Sequence, residues 1–88
     1  MEGWQMIIEE NWAISIERAC RFWESQPDVT KDADGYCLGS CRITLSEPAP
    51  GPKGLFSLPR TLLRIEGPEA EVSSIHHRFW IRFLSAGG

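Results

Sequence analysis

The chain reads as an α+β domain: a two-layer sandwich of β-α-β-β-α order, with an antiparallel sheet and two helices on one face. Three observations point there. Residues 61–66, TLLRIE, alternate Thr61, Leu63 and Ile65 with Leu62, Arg64 and Glu66, which is the two-residue period of a strand. From Pro68 to Leu84 the period lengthens: Val72, Ile75, Phe79 and Phe83 form one helical stripe, which Trp80 and Leu84 widen on one flank. Between residues 47 and 59, four of the six prolines gather in one connection, as a long hairpin loop would require.

Taken in order, Trp4 to Glu9 reads as a strand, with Trp4, Met6 and Ile8 on one face and Ile7 on the other. Glu9-Glu10-Asn11 interrupts it, and Asn11 is a candidate N-cap for a helix over 13–25. On that helix Trp12, Ile16, Ala19, Cys20 and Trp23 share a face, while Glu17, Arg18 and Arg21 point away. Glu17 and Arg21, four apart, are placed for a surface pair. Pro27 ends the helix, because the residue before a proline avoids helical angles. A competing reading turns the chain at Glu10-Asn11, makes Trp12 to Ser15 a second strand, and gives the cap to Ser15.

Asp28 to Gly35 is a polar turn, and Tyr36 to Ser46 follows as one strand. In that strand Cys37, Cys41, Ile43 and Leu45 face the core, with a bulge or close approach expected at Gly39. The loop at 47–59 then carries Leu55, Phe56 and Leu58, which either plug the sandwich or meet a partner. The last helix opens at Pro68, a residue suited to the first helical position, with Glu69 and Glu71 at the positive end of the dipole. The element order resembles a ferredoxin-like β-α-β-β-α-β unit lacking its last strand. An open sheet edge in such a frame needs covering, and pairing with a second copy is one way to cover it.

Length and charge bound the rest. Eighty-eight residues make one domain, 1–88, in which four tryptophans and four phenylalanines offset a small core. A net charge of −3 weighs against a nucleic-acid binder driven by bulk electrostatics. Apolar runs are too short to span a membrane and no secretory leader is read, so a cytoplasmic location is expected. Three cysteines, an odd number, fit a reducing compartment.

Candidate sites follow from residue type and spacing. Cys37 and Cys41 lie on one strand face about 13 Å apart, too far for a disulfide or a shared metal, and read as structural thiols. His76 falls inside the apolar stripe, where its ring needs a local partner; its functional alternatives are a pH switch or a metal ligand. His77 diverges from it by about 100°, so the two do not chelate one ion. No metal or cofactor is expected. Arg60, Arg64, Arg78 and Arg82, beside Trp80, offer a cationic patch for nucleic acid or an acidic ligand, unless Arg78 pairs with Glu71 at a solvated rim. Trp80 and Ile81, with Leu55, Phe56 and Leu58, are the candidate partner-binding residues, since Ile81 lies opposite Val72 on an apolar flank. The ending Ala86-Gly87-Gly88 resembles the Gly-Gly tail of ubiquitin-like sulfur carriers, over those residues only. That resemblance implies a tail following a strand in a β-grasp fold; after a helix, Gly87 reads as a cap. No nucleophile with an oriented base emerges, so the leading expectation is a non-catalytic interaction or regulatory module that self-associates.

Overall fold

The structure is a computed structural model and describes residues 5–48 and 59–85. The chain forms β1 (Gln5–Trp12), α1 (Ile16–Glu24), β2 (Thr30–Lys31), β3 (Tyr36–Leu38), β4 (Cys41–Ser46), β5 (Thr61–Pro68) and α2 (Glu69–Trp80), which runs on as a π-helical turn, Ile81–Ser85. The five strands make one antiparallel sheet in the order β1-β5-β4-β3-β2. The α+β class is therefore as expected, with more strands than the spacing announced. Trp4, the loop residues Leu55, Phe56 and Leu58, and the Gly87-Gly88 tail lie outside the described residues.

The expected strand over 36–46 is a hairpin. Gly39, at φ 62, and Ser40 make a two-residue turn, and Leu38 faces Cys41 across it. A positive φ at the first central position alone is the pattern that lets a tight turn follow the twist of its strands. This closure changes the face parity. Tyr36 pairs with Ile43, and both are buried; Cys37 pairs with Arg42 on the opposite face from Cys41. The two thiols thus occupy different faces of neighbouring strands, not one face of a single strand.

The first strand also runs further than expected. Eight pairs zip β1 to β5, from Gln5 opposite Pro68 to Trp12 opposite Thr61. Glu9-Glu10-Asn11 does not break it, because each finds a partner: Arg64 for Glu9, His76 for Glu10 and Arg60 for Asn11. Trp12 therefore belongs to the strand, not to a helix face, and Asn11 caps nothing. Ser15 is the N-cap of α1, its hydroxyl accepting from the Arg18 N–H at 3.2 Å, as the competing reading had it. No ion pair joins Glu17 to Arg21 among the described residues. Pro68 ends β5 and is the N-cap of α2, not its first residue.

Both helices cover one face of the sheet. Ala19, Phe22 and Trp23 from α1 meet Val72, Ile75 and Phe79 from α2 over Ile43, Leu63 and Ile65. The α2 stripe is the expected one, with Phe83 packed at its end. Thr61 is fully buried and its hydroxyl donates to the Ile14 carbonyl at 2.8 Å, pinning the β1–α1 connection onto β5. The other face of the sheet carries Glu9, Arg64 and Glu66, linked by ion pairs of 2.8 and 2.9 Å. Such polar-out alternation is what an antiparallel sheet covered on one side requires.

Gly67 is where β5 must stay bare. A Cβ there would lie 2.6 Å from Cys41 Sγ and 3.0 Å from Cys41 Cα, and its φ of 153 is one that other residues rarely adopt. The Gly67→Ala variant should therefore lose about 1–3 kcal/mol of stability, since β4 or β5 must shift to make room. Urea unfolding measures it; a midpoint equal to that of the parent would show that the contact yields freely.

Candidate functional site

β1 is an edge strand whose outer side has no strand neighbour among the described residues. At about 3.4 Å per residue its eight residues present roughly 27 Å of unpaired backbone. The opposite edge, β2, is two residues long and carries Lys31, two devices by which proteins blunt an edge. β1 has neither device. It contains no lysine and no proline, and its two carboxylates are already engaged.

Glu10 shows how. It lies on the helix side of β1, where His76 Nε2 stands 2.8 Å from its Oε1 and the Trp12 Nε1–H donates to the same oxygen at 3.0 Å. One carboxylate thus ties the edge strand to α2 and orients two rings. This is the local partner that an in-stripe histidine needs. Burial, with Glu71 nearby, pushes the Cys41 thiol up, and a hydrogen bond to Asp32 with desolvation pushes Cys37 up, so neither thiol is activated. Among the described residues no three His, Cys, Asp or Glu side chains gather as metal ligands would.

Exposed apolar side chains border this edge, one on the otherwise polar open face and three on the helix layer. Ile7, 57% exposed, projects from the open face of β1. On the helix layer Trp80, Ile81 and Leu84 are 43%, 47% and 49% exposed. Trp80 lies one turn beyond His76, on the flank of α2 that turns toward β1, and its ring stacks on His77 with centroids 6.1 Å apart. Trp80 and Ile81, named from the sequence, are thus exposed with Leu84 on the helix layer, and Ile7 is exposed on the opposite face of the sheet.

The four arginines named from the sequence do not share a surface. Arg60 and Arg64 serve Asn11, Glu9 and Glu66 on the open face of the sheet. Arg78, in the helix layer, reaches Asp28 and Gln26, whereas Glu71 accepts instead from the Ser40 N–H at 3.2 Å. Arg82 faces α1, where Arg18 and Arg21 line the same cleft. The helical period turns those two away from the core, and their three-residue spacing on α1 is the sequence signal that they share a side.

No known family, curated protein or solved structure matches this chain. No helix among the described residues is long and apolar enough to cross a membrane.

The Arg78–Asp28 contact yields a pH dependence. Arg78 donates to both Asp28 oxygens, at 3.1 and 3.2 Å, and holds that carboxyl below its ordinary value of 3.8. A lowered carboxyl contributes stability above its unfolded value, and the contribution is lost as pH falls through the folded one. The Arg78→Gln variant should therefore lose less stability than the parent on acidification from about pH 5 to pH 2.5. Denaturation at the two ends measures this, and equal losses would remove the pair from the acid response.

Proposed function

We propose that this chain is a small, non-catalytic interaction module that self-associates through β1 and the neighbouring flank of α2. The single observation that carries the reading is the contrast between the two edges of the sheet. One is short and guarded by a lysine; the other is long, stripped of free charge and bordered by exposed apolar side chains. Antiparallel pairing of β1 with its copy would satisfy the unpaired N–H and C=O groups and join two sheets into one. The same two-fold operation brings Trp80 and Ile81 of the two copies toward each other over the joined sheet, and places both Ile7 side chains on its other face.

Topology supports that placement. β1 and β4 run parallel with β5 between them and α1 in the crossover, the split β-α-β arrangement of a ferredoxin-like frame. Crossovers of this kind are right-handed. Because β5 points the other way and α2 packs on the same face, a strand following α2 would be carried outward, past β1. The outer flank of β1, where no described strand lies, is thus the position that such a frame fills with a strand, and the edge strand of a second copy fits it. Three free thiols, Cys20, Cys37 and Cys41, fit a reducing cytoplasmic setting for such a module.

Sedimentation at micromolar concentration should show a dimer. Ile81→Glu, in the helix layer, and Ile7→Lys, on the edge strand, should each leave a folded monomer, because both residues are exposed and neither belongs to the core. A parent chain that sediments as a monomer at these concentrations would contradict the proposal. So would dimers that survive both substitutions.

A further inference from the structure

We infer that the cleft between α1 and the π-helical turn binds a small organic phosphate, its phosphate held by Arg18, Arg21 and Arg82 and its flat or apolar part laid against Phe22 and Phe83. The cleft has a volume of about 290 Å³ and is lined by those five residues and Ser25. Its charge is the telling feature. The chain has more acidic residues than basic ones, 12 against 9. Of the other described arginines, Arg42 pairs with Asp32, Arg64 with Glu9 and Glu66, and Arg78 with Asp28, while Arg60 stands apart on the other face and donates to the neutral Asn11 side chain. Arg18, Arg21 and Arg82 make no ion pair among the described residues, and they converge on one cleft that no carboxylate lines.

Three like charges drawn together repel one another, and a bound anion relieves that repulsion. The guanidinium fork matches a phosphate with two parallel hydrogen bonds, which a lysine ammonium does not offer. Two of the three groups are held in place before any ligand arrives. Arg18 Cζ stands 5.4 Å and Arg82 Cζ 5.9 Å from the centroid of the Phe83 ring, a cation–π distance for both. Phe83 is itself anchored on Phe22 and Phe79, with centroids 5.6 and 4.7 Å away. A cavity of this size is at the small end of ligand pockets, which favours a mononucleotide-sized molecule over a polymer. The cleft lies on the α1 side of α2, away from β1, so the inference is independent of self-association.

Calorimetric titration of the full chain at low salt tests this with three small probes: AMP, inorganic phosphate and adenosine. AMP should bind saturably, phosphate about tenfold or more weakly, and adenosine without detectable heat. Arg18→Gln, Arg21→Gln and Arg82→Gln should each weaken AMP by about tenfold or more, with circular dichroism unchanged, whereas Arg42→Gln on the opposite face should leave AMP binding intact. Absence of AMP binding, or binding that the three cleft variants leave unaltered, would overturn the inference. Equal affinity for phosphate and AMP would overturn the role given to the aromatic wall. A single-stranded oligonucleotide bound far more tightly than AMP would assign the cleft to nucleic acid instead.

Discussion

The fold depends on how Phe79 is held. Its side chain is fully buried, and its ring meets Trp12 from β1, Phe22 and Trp23 from α1, and Phe83 from the turn that follows. The Trp12 contact is edge-on at 5.0 Å, and the Trp23 contact is stacked at 5.5 Å with 12° between the planes. Each such pair contributes about 0.5–1.5 kcal/mol beyond area burial. One side chain thereby fixes both helices against each other and against the edge of the sheet. The arrangement has a cost: the Trp23 indole N–H is buried with no partner among the described residues, at about 1–3 kcal/mol. Trp23 takes part in two aromatic contacts, with Phe22 and Phe79, and together these are of the same size as that cost, to which its buried area adds.

Fixing α2 in this way decides what is left outside. With Val72, Ile75 and Phe79 turned to the sheet, helical geometry sends His76 and Trp80 toward β1, and Arg78 and Arg82 toward α1. On the β1 side both carboxylates of the strand have partners, Glu10 at His76 and Glu9 at Arg64. The α1 side keeps cationic groups: Asp28 takes Arg78, but among the described residues no carboxylate pairs with Arg18, Arg21 or Arg82. Two different surfaces thus follow from one packing decision.

Where a pattern depends on residues close in sequence, the sequence was readable. The α2 stripe and the alternation along β5 could be seen directly, and Trp80 and Ile81 stood out as apolar side chains on the wrong side of a helix. What stayed hidden depends on partners far along the chain. Glu10 looked like a strand breaker because its stabilising contact, His76, is 66 residues away. Gly39 looked like a bulge in one strand, since a two-residue hairpin with little turn chemistry on either side leaves alternating residues almost undisturbed until the parity flips. Arg18 and Arg21 looked solvated because the third member of their cluster comes from the far end of the chain.

The central claim is that the outer side of β1 is built to receive a strand from a second copy. Along an antiparallel strand, alternate amides point to the neighbour and away from it. Hydrogen exchange resolved by residue over Gln5–Trp12 reads the two sets separately. The account predicts that amides facing β5 are protected at every protein concentration, while the outward set gains protection as concentration rises through the dimer's dissociation constant. An outward set that exchanges rapidly at all concentrations, beside a protected inward set, would contradict it.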